Sequence, residues 1–385
     1  MILQIFVNMR DDLTAAFENG IKGRNKGLPT GIPKLNRAIH GVQRGAIIGV
    51  AGSPKSGKST LADSAFLINP YMHMLENPEV DIDFFYWSLE MNKVDVRFRS
   101  ISHFFARDYG ITSVDIPNGK TYKGSTIMMM NSSYLLGKLE NDDNEPIVPS
   151  EEHQRLFKEI LEKRINPMFG TYDDKGKRVT EGKVTIIEDK NDSNPTGVFN
   201  YLMNYAKKNG TFLYEEYETT DGAGKKIIKH RVSGYRPNNP DKYIIIITDH
   251  MRALKRERQY TLKQNMDKMG EYQIILRNLC NFTFIDIIHL NRNISDITRI
   301  KFNNEFLFPN NDDIKDSGNI AEDCDYLLTM FDATDDRYGI KKHFGMDIED
   351  IINYRSIHLV SSRHSESPAH IQTRMYAGIS RFEEL

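Results

Sequence analysis

The chain has 385 residues, with 51 Lys+Arg against 53 Asp+Glu and a formal net charge of -2 at pH 7. That balance excludes a histone-like polycation but leaves room for a local basic channel, and the length carries a prior of two or three domains, or one large domain with insertions. Two cysteines, Cys280 and Cys324, are too few for a disulfide framework or an unaided zinc site and read as buried, reduced thiols. No apolar run approaches the ~20 residues that cross a bilayer. The opening MILQIFVNMRDD has neither a basic n-region nor a cleavage pattern, so a cytoplasmic protein with no membrane partner is expected.

In chain order, residues 1–27 read as an amino-terminal arm. Asp11 to Asn19 has acids in its first turn and Gly20 as a stop, which predicts a short helix. GIKGRNKG (20–27) then reads as a basic connector. Residues 28–385 alternate strand and helix signals. Apolar runs at 46–52, 83–90, 183–189, 243–249, 282–290, 326–331 and 356–362 predict strands, with helix patterns at 59–68 and 195–208. Continuous apolar strands separated by helices predict an α/β fold around a mostly parallel sheet covered on both faces. Two stretches break the rhythm and read as insertions on one core: the polar segment at about 110–182, and 211–240, where two strand-like arms around DGAG predict a β-hairpin.

Gly52-Ser53-Pro54-Lys55-Ser56-Gly57-Lys58-Ser59, followed by Thr60, fits GxxxxGK[ST] at every fixed position, with a strand before and a helix after. Glycines let such a loop wrap tightly, so that consecutive backbone N–H groups point at phosphate oxygens, and the helix start adds its positive dipole end. The spacing assigns Lys58 to the β- and γ-phosphates of ATP and the Ser59 hydroxyl to Mg2+. Asp249 is the first acid after the longest apolar strand. It emerges where parallel sheets bind ligands, so it is the expected second magnesium anchor. Glu90 closes the second strand and is a candidate base or water-orienting group. His289, at the end of the fifth strand, is positioned to sense the γ-phosphate, or alternatively to sit as a satisfied core histidine.

These segments carry a family resemblance. TGIPKLNRAIHGVQRGAIIGVAGSPKSGKST (30–60), WSLEMNKVDVRFRS (87–100), YIIIITDHM (243–251), HLNR (289–292), DIKDSGNIAEDCDYLLTMF (313–331) and HLVSSRHSESPAHIQTRMY (358–376) resemble, in order, the motifs of DnaB-type replicative helicases. The resemblance covers a RecA-like P-loop motor but neither insertion. It implies that Glu90 is the catalytic carboxylate, that Asp249 coordinates Mg2+, and that His289 links the γ-phosphate to the DNA loops. It further implies that Arg99 stacks on the nucleotide base and that Arg363 is an arginine finger donated to the neighbouring subunit's ATP. The sequence departs from the family at Ser361, where a lysine is usual, at Ala321 and Glu322, and in the turn after Arg363. The family's amino-terminal primase-interacting domain has no counterpart; the resemblance implies that the 11–19 helix stands where the family has a linker helix that docks on the adjacent subunit, the alternative being a helix folded back on its own core or frayed.

Between Met251 and Lys301 there are ten basic residues against five acidic ones. Two clusters follow strand ends: Arg252, Lys255, Arg256 and Arg258, then Arg292, Arg299 and Lys301. Such residues track a phosphate backbone without reading sequence, and the resemblance makes them pore loops for single-stranded DNA. The expected function is therefore an ATP-dependent DNA helicase, a homohexameric ring of bacteriophage type, with a primase or a helicase loader as further partner. Two alternatives stand beside it: a RecA/RadA-like recombinase or loader, and a nucleotide-binding assembly protein with a degenerate motor.

Overall fold

The computed structural model describes residues 25–175, 177–188, 193–220, 226–291, 293–317 and 320–385, with 13, 14, 17, 18, 20 and 21 of the arm. All seven expected strands form: β1 (Ile47–Gly52), β2 (Ile82–Ser88), β3 (Val184–Ile187), β4 (Tyr243–Asp249), β5 (Thr283–His289), β6 (Tyr326–Phe331) and β7 (Tyr354–Ser362). Two more follow, β8 (Ala369–Tyr376) and β9 (Arg381–Glu384). Together they form one sheet in the order β9-β8-β7-β6-β1-β5-β4-β2-β3.

The strand sequences explain the sheet. Odd and even positions of each central strand enter different apolar clusters. Ile48, Val50, Phe84, Tyr86, Ile245 and Ile247 pack on one face, and Ile47, Ala51, Phe85, Trp87, Ile244 and Ile246 on the other. Side chains alternate across a strand, so a strand covered on both faces must be apolar throughout. Every residue of β1 and β4 is buried. The strands from β3 to β6 are parallel. Beyond β6 the pattern changes: β7, β8 and β9 run antiparallel to their neighbours. The β7–β8 and β8–β9 links are short hairpin connections, which cannot make the crossover that parallel pairing requires, while β6 and β7 are joined by the longer 332–353 segment.

The arm departs from expectation. Its described residues are helical through Gly20 and Ile21, so Gly20 does not end the helix at 19. A lone glycine lowers helix propensity by ~1 kcal/mol without forbidding it. Leu13, Phe17 and Ile21, four residues apart, are 65%, 71% and 72% exposed. The 110–182 segment is partly core: Met128, Met130, Tyr134, Leu156 and Phe169 join the first apolar cluster. In the second insertion, Gly210–Thr220 pairs with Lys226–Pro237 as a long hairpin; the DGAG turn lies outside the described residues. Among the described residues no helix is long and apolar enough to cross a membrane.

Candidate active site

The carboxyl ends of β1, β5, β4 and β2 stand side by side, with Gly52 opposite His289 and Asp249 opposite Ser88. Chemistry-bearing residues from distant parts of the chain therefore meet along one sheet edge. The glycine-rich loop leaves β1 there. A Cβ on Gly52 would lie 2.4 Å from Ser56 Oγ, and Gly57 has φ 104° at the helix start, so both positions demand glycine. The helix begins at Lys58, becomes π-helical over Ala62–Ile68 and continues over Asn69–Glu76. Such π segments are frequent beside functional sites.

Lys58 is buried, and its ammonium donates to the Ser53 carbonyl at 2.8 Å. Burial lowers its pKa to about 8 against the opposing pull of Asp249 and Glu90. The Ser56 hydroxyl is buried with no hydrogen-bond partner among the described residues. Beside the loop lies a cavity of about 350 Å³, lined by Pro54, Lys55, Asp332, Arg337, Tyr338 and Arg355.

Ser59 Oγ donates to Asp249 Oδ1 at 3.2 Å. Tyr86, fully buried, directs its hydroxyl at both Asp63 (3.0 Å) and Asp249 (3.3 Å). Burial raises the pKa of Asp249, and the neighbouring Asp63 carboxylate adds to that. Oxygen donors, one hydroxyl and a desolvated carboxylate, are the set that suits a hard cation such as Mg2+. Arg99 lies with these acids: its guanidinium donates to Asp63 Oδ2 at 3.0 Å, rather than lining the cavity beside Lys55.

Glu90 lies just beyond β2, its side chain 55% exposed. Its Oε1 sits 2.6 Å from His250 Nε2. The His250 ring meets His289 edge-on, with centroids 4.2 Å apart. Burial, then the Lys58 and His250 charges, lower the His289 pKa to about 4, so its imidazole is neutral at physiological pH.

Arg363 is far from these groups. Its backbone N donates to the Asp325 carbonyl, and Asp325 N donates to the Ile47 carbonyl. It therefore sits at the start of β1, while the phosphate loop leaves the end. Its guanidinium donates to the Glu322 carbonyl at 2.8 Å and lies 3.6 Å from Asp325.

The basic segments divide. Arg252, Lys255, Arg256 and Arg258 stand just past β4, with Arg252, Lys255, Arg256 and Arg258 each reaching the surface, as does Lys301 past β5. Arg299 is committed elsewhere: it donates to the fully buried Asp313 at 2.6 Å and to the Phe308 carbonyl at 2.8 Å. Arg292 lies outside the described residues. Next to Lys301, Phe302 is 88% exposed.

Sequence reasoning assigns no role to His250, Asp63 or Tyr86. A signal exists for Asp63, an acid in the otherwise apolar ADSAFLI segment, all of which is buried. His250 has none, because its partner Glu90 comes from a different strand.

The family description "DnaB-like helicase C terminal domain" matches residues 27–143. No curated protein matches the chain in sequence. Among solved structures, the ATPase domain of a phage DnaB-like helicase is similar with a TM-score of 0.61 and 13% identity, covering 97% of this chain and 98% of that one. A DnaB-like replicative helicase, described with its interactions with primase, is similar with a TM-score of 0.56 and 14% identity. That match covers 92% of this chain and 63% of the other. At such identities the likeness is one of fold.

Proposed function

We propose that this chain, whose residues 27–143 match the DnaB-like helicase C-terminal domain and whose fold resembles a helicase ATPase domain, is a RecA-like ATPase of that kind and acts as a ring of identical subunits. In this reading the ring hydrolyses ATP between neighbours and travels along single-stranded DNA. The observation that carries the assembly is the position of Arg363. It occupies the end of β1 opposite the phosphate loop, so an arginine finger at this residue can serve only another copy's nucleotide. Head-to-tail contacts of this kind close into rings when their rotation closes, and otherwise make filaments.

The phosphates of ATP lie on the N–H groups of Lys55 to Ser59, since Pro54 has none to offer, with Thr60 in the first helical turn and Lys58 against the β- and γ-phosphates. The nucleoside extends toward the cavity beside Lys55. Ser59 and Asp249 hold Mg2+, which would neutralise charge building on the phosphates. Glu90 orients the attacking water and takes its proton, after it turns from His250. Neutral His289 offers a hydrogen bond to the γ-phosphate without adding charge. The neighbour's Arg363 contributes ~10³–10⁵ in rate, the usual worth of such a finger.

Arg252, Lys255, Arg256, Arg258 and Lys301 contact the strand's phosphates, and Phe302 offers a stacking face to its bases. Arg292, close to Lys301 in the sequence, is proposed to join them. Arg299 holds the segment that carries Lys301 in shape through Asp313. The exposed Leu13, Phe17 and Ile21 support docking of the arm on an adjacent copy. A primase or helicase loader is the further partner class.

One observation favours a second reading, an assembly protein with a degenerate motor: Ser361 replaces a cation next to the finger, and Arg363 is bound to Glu322. The deciding experiment measures ATP turnover with and without single-stranded DNA, and unwinding of a forked duplex, for wild type and Lys58→Ala. Stimulated turnover and unwinding, both abolished in the variant, support the motor. ATP binding without turnover supports the assembly protein, and strand exchange without unwinding supports a RecA-like recombinase.

A further inference from the structure

We propose that Glu90, His250 and His289 form a binding site for a transition-metal cation of the Zn2+ class, and that filling it arrests hydrolysis by withdrawing Glu90 from water. The binding half stands on geometry alone; the arrest rests on the role of Glu90 proposed above.

One ligand atom from each of the three side chains lies within 4.8 Å of the other two. The residues come from neighbouring positions on the sheet: His289 ends β5, His250 follows β4 and Glu90 follows β2. The central strands are buried and hydrogen-bonded to one another, so the histidines are held on a rigid frame. His250 is one-tenth exposed in its side chain, and its Nδ1 is buried with no hydrogen-bond partner among the described residues. Its Nε2 already touches Glu90. Ligand bonds of ~2.0–2.2 Å in a tetrahedral zinc site put ligand atoms roughly 3.3 Å apart. Closing from 4.8 Å thus needs movement on the order of 1 Å, and Glu90, more than half exposed, can supply it.

The donor set selects the ion. Two imidazoles and one carboxylate suit Zn2+ or Co2+, whereas Mg2+ prefers oxygen alone. The Ser59 and Asp249 oxygens are therefore a different site with a different preference. Three protein ligands leave a fourth position for water, as open zinc sites do. Nearby Lys58 repels a cation and keeps the affinity moderate.

The test is calorimetric titration of the full chain with ZnCl2, with Mg2+ present and no nucleotide, together with the visible absorption of the Co2+ form. One equivalent is expected, with an intense band of low-coordinate Co2+. Glu90→Gln, His250→Ala and His289→Ala should each weaken it by at least ~10-fold, the least that even outer-shell changes usually cost. His230→Ala, on the exposed hairpin, serves as the control and should leave it unchanged. If His250→Ala fails to fold by circular dichroism, His250→Gln replaces it. Zinc bound equally well by all three site variants, or not bound by wild type, overturns the site. Turnover should then fall as zinc fills the site, with ATP still bound at saturating concentration. Zinc that binds without slowing turnover overturns the arrest alone. A wild type that never hydrolyses ATP, even without zinc, overturns the motor reading and leaves the titration to judge the site.

Discussion

Mixing two inactive variants tests whether Arg363 acts between copies. Lys58→Ala removes the cation from the phosphate loop and Arg363→Ala removes the finger. Backbone bonds place Arg363 beside Asp325 and Asp325 beside Ile47. From Ile47 to Gly52, β1 spans five steps of ~3.3 Å, roughly 16 Å. An arginine cannot reach its own chain's phosphates across that distance, so Arg363→Ala alone should lose ~10³–10⁵ in turnover, and Lys58→Ala, without its phosphate cation, should be inactive alone. In a ring with head-to-tail interfaces, equal mixing restores an intact Lys58 facing an intact Arg363 at about one interface in four. Turnover should return to about a quarter of the wild-type rate per site if interfaces act independently. The assay is steady-state phosphate release after mixed reassembly, with co-assembly verified by mass. Mixed rings no more active than either parent would refute the placement, as would an Arg363→Ala variant that hydrolyses ATP normally.

Arg256→Ala or Lys301→Ala should weaken single-strand binding alike for all sequences and flatten the slope of log K against log salt by ~0.7 for each phosphate left without its cation; Phe302→Ala should weaken it with the slope unchanged. Arg299→Ala should instead unfold the protein more readily, by about 3–5 kcal/mol in denaturant titration, because Asp313 would be left buried and unpaired; a change confined to DNA affinity would contradict this. Since bound phosphate favours charged Lys58, and burial lowers its pKa to about 8, ATP affinity should be level below that pH and weaken by about tenfold per unit above it. A flat Kd up to about pH 9.5 argues against that burial. His343 is fully buried and its pKa is lowered, chiefly by burial, to about 4. A base whose folded pKa lies below its unfolded one stabilises the fold above the unfolded value and loses that contribution as pH falls. Stability should therefore drop between about pH 6.5 and 4, by up to about 3 kcal/mol from this residue, with buried His358 adding in the same direction. His343→Gln should shrink the decline seen by chemical denaturation.

The central strands are legible in the sequence because burial on both faces leaves each an unbroken apolar run. The phosphate loop is legible because its chemistry is local: one turn of backbone supplies nearly all of it. Legibility fails where a residue takes its meaning from another strand. His250 reads as a polar residue past a strand end until β2 is placed beside β4, which brings Glu90 to it. Arg299 reads as one more loop cation until the chain returns and buries Asp313 beneath it. The 110–182 segment reads as polar because up to residue 150 its apolar residues, such as Met128 and Tyr134, sit in short hairpins and turns with no sustained period, while the helical stretch 151–169 sets a narrow apolar face, with Leu156, Ile160 and Phe169, among many charges. The antiparallel direction of β8 and β9 follows from the short links before them, whereas β7 comes after the long 332–353 segment, which sets no direction.

The same sheet edge explains how ATP chemistry would reach DNA. β4 and β5 are hydrogen-bonded neighbours in register, Ile247 beside Ile285 and Thr248 beside Asp286. Both are buried along nearly their whole length, so neither can slide without exposing core on two faces. Movement at the γ-phosphate is thereby confined to the residues past the strand ends. Asp249 and His250 run directly into the Arg252–Arg258 segment, and His289 runs into the segment that carries Lys301. In the proposed motor, a change in what Glu90, His250 and His289 hold would therefore appear as a change in the direction of the two basic segments. No separate relay is required, because the residues that would meet phosphate and those that would meet DNA lie two to twelve residues apart on the same segments at the rim of a rigid sheet.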